Sequence, residues 1–532
     1  MTTTSPAPAA GSSDGQVNLA HWVRGRARTS PDAVAVRQGE VELTYAGLDA
    51  ASAAFASRLR DLGVEPGDRV ALVAPNVLAF PVVYYAILRL GAVVVPMNPL
   101  LKSGEVAYTW QDCGARVAVV HALFEGEAQA AAGRTGTTVV VVGPDDPALP
   151  PAAATEDAGS EIVERADTDT AVILYTSGTT GRPKGAELTF ANLRSNVLAC
   201  VETLFLNGPD DVLFGGLPLF HSFGQTCGLN TAVAGGSCLT LLPRFDPREA
   251  LETVARDGVT VFLGVPIMYM ALLNAAKGDA SLADRARTVR IGVSGGSSLP
   301  VEVLHGVEET FGLRVLEGYG LSETSPVASF NHPDRPSKPG SVGIAIRGVE
   351  LVLGRPPQED EATRPDAPAV DLLDDGDPDA IGEILVRGEN VMRGYWADPE
   401  ATAGAVRGGW FHTGDLARRD ADGFFFIVDR VKDLIIRNGF NVYPREVEEV
   451  LYAHPAVAEA AVVGVPDPLR GEEVGALVQL REGAEVGEDE LREFVAERVA
   501  AFKYPRVIRF GAVPKGPTGK ILKREIDLGA GR

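Results

Sequence analysis

Between Tyr175 and Glu187 the chain reads YTSGTTGRPKGAE, three Thr, one Ser and three Gly around a single Lys. Small residues let backbone N–H groups close on an anion, and hydroxyls and Lys184 add donors, so the stretch reads as a phosphate cradle. It does not fit the Gly-x4-Gly-Lys-Ser/Thr template of P-loop enzymes. The fifth residue after Gly178 is Pro183, and Lys184 is followed by Gly185. The apolar run AVILY precedes it, placing the loop at a strand's carboxyl end, where open α/β sheets take ligands. Elsewhere single residues stand out for their chemistry: Glu323 in EGYGLSETSP, Asp415 in GWFHTGD, Arg430 in DRVKD, Lys520 in PKGPTGK and His221 in PLFHSFG. Taken singly, each has a plainer reading. Glu323 is a helix-cap acid, Asp415 and Arg430 are surface charges, Lys520 is a solvated lysine, and His221 is a satisfied core histidine.

The elements that must position these residues alternate along the first two thirds of the chain. Arg69–Pro75, Ala115–His121, Thr137–Gly143, Thr170–Gly178, Val259–Pro266 and Thr288–Gly296 are short β-branched runs. Helical patterns such as Thr44–Gly63 separate them, which predicts parallel sheets covered by helices. From Gly340 the texture turns to the short alternating runs of antiparallel strands. An acidic, Pro-rich segment, Arg355 to Asp379, reads as a solvated loop. The last hundred residues read as a separate domain with helices at PREVEEVLYAHP and EDELREFVAERVA and strands at VAEAAVVGVPD and EVGALVQL, joined near DRVKDLI.

At 532 residues the chain exceeds the size of a single core, so at least two domains are expected. The net charge of −22 argues against nucleic-acid and anionic-membrane partners, which would repel it. Cys113, Cys200, Cys227 and Cys238 make no CxxC pair and share no metal-ligand spacing with His, so they read as thiols of a reducing cytoplasm. The N-terminus has no basic and apolar leader and reads as a disordered lead-in. The run from Phe80 to Leu101 carries Arg89 and breaks at Gly91 and Pro96, which reads as a helix and a buried strand and not as an integral membrane span.

Eight stretches in order, YTSGTTGRPKG, PLFHSFG, SGGSSLP, EGYGLSETSP, GWFHTGD, DRVKDLI, NGFNVYPREVE and PKGPTGK, resemble the signatures of the adenylate-forming (AMP-binding) superfamily, from about residue 40 to 520. The resemblance implies a lead-in (1–16), an AMP-binding N-terminal domain (17–431) and a small mobile α+β C-terminal lid (432–532). The large domain would hold two helix-covered, mainly parallel sheets and a β-barrel-like antiparallel subdomain (about 340–431). It implies a two-step reaction: a carboxylate attacks the α-phosphate of ATP to give an acyl-adenylate and pyrophosphate, and the thiol of coenzyme A then displaces AMP. One anion must attack another, so the site needs cations and donors aimed at the α-phosphate.

The roles follow the same resemblance. Thr176, Ser177, Gly178, Thr179, Thr180, Gly181 and Lys184 would wrap the departing phosphates. Thr176 and Glu323 would hold Mg2+, for which a hard oxygen donor is suited. Thr324 would bond the α-phosphate, and Tyr319, flanked by Gly318 and Gly320, would lie against adenine with Gly296 and Ser297 nearby. Asp415 and Arg430 would take the ribose hydroxyls. Lys520 would screen the repulsion in the first half-reaction only. Lys432 would be the hinge about which the lid swings, presenting Arg437, Gly439 and Phe440 to coenzyme A. His221, Ser222, Phe223, Gly295, Gly320 and Val327 would line the acyl pocket. No acid stands near His221 to pair an ammonium, so an amino-acid substrate is disfavoured.

The fatty-acyl members of the family resemble this chain most in PLFHSFGQTCGLN and PMNPLLKSGE, which makes a medium- to long-chain fatty acid the first expectation. A 4-coumarate-type aryl acid is the alternative. A fatty acyl-AMP ligase that loads a carrier protein ranks lower, because TGDLARRDADGFFFIVDR carries no insertion before the lid. Lys520, Glu323 and Asp415 together weigh against a non-catalytic adenylate sensor. The assembly stays open, with a homodimer one state.

Overall fold

The computed structural model describes residues 17–143, 161–176, 182–355, 371–373, 377, 380–438, 440–467, 469–516 and 520–529. The lead-in 1–16, Ser177 to Gly181, most of the acidic segment and Gly439 lie outside the described residues.

Two large sheets form the core of the N-terminal part. One orders seven strands as 394–395, 184–189, 170–176, 93–97, 69–73, 117–121 and 138–142, parallel from Thr170–Thr176 onward and antiparallel at the 184–189 edge. The other orders nine strands, with a parallel centre built from 34–38, 238–241, 212–215, 261–264, 291–294 and 314–320. Its central strands are fully buried, VFLG at Val261–Gly264 and IGVS at Ile291–Ser294 for example, as continuous apolar runs covered on both faces must be. The helix Ala79–Arg89 is buried along its whole length between these layers, which explains its unbroken apolar sequence. Arg89 within it is fully buried and pairs with Asp49. Among the described residues no helix is long and apolar enough to cross a membrane.

A third sheet is antiparallel, with Val349–Gly354, Gly382–Gly388, Trp410–Arg419, Val406–Arg407 and Phe425–Arg430. The fourth, in the C-terminal lid, pairs Val457–Asp467 with Gly471–Leu480 and adds Ile435–Arg437, Phe440–Val442 and Val507–Phe510. The lid helix Pro444–Tyr452 buries Val447 and Leu451 on that sheet, and the helix Glu488–Ala496 buries Leu491 and Val495. This lid core is separate from the large-domain core. The fold is therefore the expected one of helix-covered, mainly parallel sheets, a small antiparallel sheet and an α+β lid.

Candidate active site

The phosphate-binding candidate spans an antiparallel hairpin. Thr176 at the end of Thr170–Thr176 stands in register opposite Lys184 at the start of Lys184–Thr189, and its hydroxyl donates to the Lys184 carbonyl at 3.5 Å. The feet of the loop are tied down from two sides. Tyr108 Oη donates to the Pro183 carbonyl at 3.0 Å, and Tyr175 Oη to Asp112 at 2.5 Å. Trp396 donates its backbone N–H to Gly185 at 2.7 Å and its indole N–H to the Asp112 carbonyl at 3.1 Å. Lys184 Nζ lies 5.5 Å from the centre of the Tyr395 ring, a cation–π distance.

Asp415 and Arg430 are direct cross-strand partners in the antiparallel sheet. Register alone brings them together, and Arg430 Nε contacts Asp415 Oδ1 at 2.8 Å. Tyr319 Oη donates to the other carboxylate oxygen at 2.7 Å. Burial and then the Asp415 charge push the Tyr319 phenol well above its ordinary value. Asp415 is held by its own turn, where the Gly414 N–H donates to Glu383 Oε1 at 2.9 Å and the Thr413 hydroxyl accepts the Asp415 N–H at 3.1 Å. Gly414 sits at φ +71°, a conformation open to glycine at little cost. A carboxylate and a guanidinium at this corner can grip a vicinal diol.

Glu323 follows on a single 3-10 turn, Ser322–Thr324, and is 8% exposed. Tyr395 Oη donates to its Oε1 at 3.0 Å, and Met392 N–H to its carbonyl at 2.8 Å. The carboxylate is a fixed, hard oxygen donor fit for Mg2+. Among the described residues no group of three or more His, Cys, Asp or Glu gathers to hold a metal. Mg2+ here would thus take Glu323 and Thr176 and fill its other positions from phosphate and water. Thr324 follows Glu323 on the same turn. It is fully buried, and its hydroxyl donates to the Pro326 carbonyl at 2.5 Å and accepts the Leu321 N–H at 2.9 Å. In this arrangement it braces the turn beneath Glu323. The same turn needs glycine at 320, where a Cβ would fall 1.7 Å from the Pro326 oxygen.

The acyl-pocket residues come from three segments. His221 is half-buried, and its Nδ1 accepts the Phe223 N–H at 3.4 Å, which leaves the proton on Nε2. Burial, and next the charge of Lys520, lower its pKa to about 4, so the ring is neutral at physiological pH. Phe223 begins a π-helical turn, Phe223–Asn230, and its ring closes on Gly295, where a Cβ would stand 3.1 Å from Cε1 and 3.6 Å from the Gly318 carbonyl. Val327 is fixed by Asn196, which accepts its N–H at 3.1 Å and donates to its carbonyl at 2.7 Å. Ser222 is buried with its hydroxyl unpartnered, while Gly296 and Ser297 are exposed.

Lys520 comes to this corner from the lid. The Gly516 N–H donates to its carbonyl at 2.8 Å, and Lys515 and Lys523 on either side pair with Glu459 and Glu448 of the lid. Lys520 is exposed to the open cleft, yet its ammonium lies within electrostatic reach of Arg430, Asp415, Lys432 and His221. Desolvation by the crowding walls, and next the Arg430 charge, lower its pKa to about 8. The structure thus brings Lys520, His221, Asp415 and Arg430 together. It does not add Arg437 to that group. Arg437 is buried in the lid sheet and paired bidentately with Glu473 at 2.5 and 3.0 Å. Phe440 is 57% exposed with its ring 4.9 Å from Phe502, and Lys432 is exposed on the 3-10 turn Val431–Asp433. Tyr395, Asp112, Glu383 and Arg445 were not singled out by sequence reasoning. Their partners are not adjacent in sequence, Asp429 lying 16 residues before Arg445 and Glu323 72 residues before Tyr395, so no local spacing points to the pairs.

Comparison with known proteins finds relatives that span nearly the whole chain. The family model described as AMP-binding enzyme matches residues 23–396, and that of the AMP-binding enzyme C-terminal domain matches 446–520. A feruloyl-CoA synthase of Amycolatopsis sp is 38% identical over 96% of this chain and 98% of its own. A long-chain-fatty-acid–CoA ligase of Bacillus subtilis (strain 168) is 34% identical, covering 93% and 91%. The crystal structure of ATP-bound MatB from Rhodopseudomonas palustris superposes with a TM-score of 0.83 at 33% identity, over 96% of this chain and 98% of that one.

Proposed function

The chain belongs to the AMP-binding enzyme family and is an adenylate-forming acid–thiol ligase, and on that premise we propose that it joins a planar aromatic carboxylic acid to coenzyme A. The observation that carries the substrate is the likeness to a feruloyl-CoA synthase, 38% identical over 96% of this chain. The Phe223 ring and Gly295 are in direct contact and form one wall, against which a planar acid can lie with a gain of about 1 kcal/mol beyond burial. A medium- or long-chain fatty acid, the first expectation from sequence, is the second reading, supported by the similarity to the Bacillus subtilis ligase.

The acid's carboxylate attacks the α-phosphorus of ATP, forming the acyl–phosphate bond and releasing pyrophosphate. The Lys520 ammonium lies between the two anions and lowers their repulsion. Asp415 and Arg430 hold the ribose, and neutral His221 offers its Nε2 proton beside the acyl group. Mg2+, when bound at Glu323 and Thr176, neutralises phosphate charge. The hairpin ending at Thr176 and Lys184, with Ser177 to Gly181 between, holds the leaving pyrophosphate. The lid then turns about Lys432, and the thiol of coenzyme A attacks the acyl carbon and expels AMP. Four buried free thiols support a reducing compartment such as the cytoplasm.

AMP release dependent on coenzyme A, measured across cinnamates, benzoates, alkanoates of graded length and amino acids, tests the choice. Cinnamates or benzoates should lead in kcat/KM. A clear preference for long alkanoates would replace the first reading with the second, and adenylation without coenzyme A turnover would point to a carrier protein as acceptor.

A further inference from the structure

The lid helix Pro444–Tyr452 does not cap its own N-terminus: no side chain of its own N-cap residue, Tyr443, serves it. The Arg445 N–H, in the first turn, instead donates to Asp429 Oδ2 at 3.0 Å, and Asp429 belongs to the last strand of the large domain. The other oxygen of Asp429 accepts the Arg430 N–H at 2.8 Å, so one carboxylate ties the hinge strand to the lid helix. The Arg445 guanidinium then reaches back and donates to the Ile427 carbonyl at 2.5 Å. One turn on, Glu449 accepts the N–H of Val301, the first residue of the large-domain helix Val301–Phe311. Three contacts on one lid helix therefore grip two large-domain segments, the strand Phe425–Arg430 and the helix Val301–Phe311. All three meet while Lys520 stands at Asp415 and Arg430. Asp429 lies three residues before Lys432, so turning the lid about that hinge carries Arg445 away from Asp429 and Ile427.

We propose that Arg445 is a positioning residue for adenylate formation, the latch that holds the lid in the orientation delivering Lys520. The inference rests on the reading that Lys520 serves the first half-reaction. Arg445 touches no reacting atom. Its contacts bias the equilibrium between docked and swung lid, so losing them lowers the docked fraction and leaves the swung state, in which coenzyme A reacts, intact. A hydrogen bond to a charged group is worth roughly one decade in such an equilibrium.

The test compares wild type with Arg445→Ala, Asp429→Asn and Lys520→Ala in two assays on the full chain: acid-dependent exchange of labelled pyrophosphate into ATP, and thioester formation from synthetic acyl-adenylate and coenzyme A. Arg445→Ala should lower exchange by about 10-fold and leave thioester formation equal or faster. Arg445→Lys, which keeps a charged donor in reach of the Ile427 carbonyl, should recover most of the exchange. Asp429→Asn should show the same asymmetry from the large-domain side, which keeps the test alive if Arg445→Ala fails to fold. An equal fall in both half-reactions, or no change in exchange, overturns the latch. Lys520→Ala separates the two levels. If it lowers both half-reactions equally, the assignment of Lys520 is what fails. If it alone shows the asymmetry, the latch fails and that assignment stands.

Discussion

Glu317 to Gln changes one proton and almost no volume, and the structure fixes what it should do. Glu317 is 2% exposed in the middle of the strand Arg314–Gly320, two residues before Tyr319. Its Oε1 accepts the Leu299 N–H at 3.0 Å, and its Oε2 is buried without a partner. Burial raises its pKa from 4.5 to about 7, opposed by the positive charge of Arg445 and aided by the negative charge of Glu449. The native state therefore holds this proton more tightly than the unfolded chain does. The stability it contributes is complete below the ordinary carboxyl value and falls as pH rises through about 7. The shift corresponds to about 3 kcal/mol lost across that window. Glutamine keeps an acceptor for Leu299 and never ionises. The Tm of Glu317→Gln minus that of wild type should therefore grow between pH 5 and pH 8.5. For a cooperative unit of the large domain's size the growth is about 3 °C. Differential scanning calorimetry at the two pH values, without ligands, measures it. A difference that stays constant with pH, or shrinks toward pH 8.5, refutes the account of Glu317 as a carboxyl held neutral by burial.

The lowered pKa of Lys520 makes its ammonium form give way as pH rises through about 8. The kcat/KM of pyrophosphate exchange should accordingly fall above that value, and Lys520→Arg should remove the alkaline limb while lowering the rate. His221, at about 4, should contribute no inflection between pH 5.5 and 7.5 to the same profile, and one near 6.5 would contradict its burial. Tyr395→Phe removes the hydroxyl that orients Glu323. It should raise the Mg2+ concentration needed for half-maximal ATP binding by about 10-fold, read by calorimetric titration, with unchanged thermal stability. Phe223→Ala should cost about 5-fold in kcat/KM for a cinnamate and little for a medium-chain alkanoate.

The motif residues were legible because their chemistry is carried by short segments whose backbone is set locally. Asp415 and Arg430 lie in two quoted stretches, and a plain antiparallel register joins them. The buried strands declared themselves as β-branched runs, and the helix Ala79–Arg89 as an apolar run too interrupted to span a bilayer. What could not be read were meetings made only by tertiary packing. Tyr395 reaches Glu323 because the edge strand Gly394–Tyr395 pairs with Lys184–Thr189, and nothing in GENVMRGYW signals that pairing. Arg445 meets Asp429 because a helix of one domain borrows its cap from the other. The bond from Thr324 to the Pro326 carbonyl, which braces the turn around Gly320, was likewise not legible. The substrate was the least legible part. The pocket expected for it draws on His221, Phe223, Gly295 and Val327 from separate segments, and motif matching compares each segment alone.

Acid-dependent exchange of labelled pyrophosphate into ATP, wild type against Lys520→Ala, bears most directly on the claim that this cleft joins a carboxylate to the α-phosphate with a lysine brought by the lid. Wild type should exchange with at least one aromatic acid in the presence of Mg2+, and the variant should be slower by about 10²–10³-fold. A folded wild-type sample that exchanges with no carboxylic acid, or a variant that exchanges as fast as wild type, would contradict it.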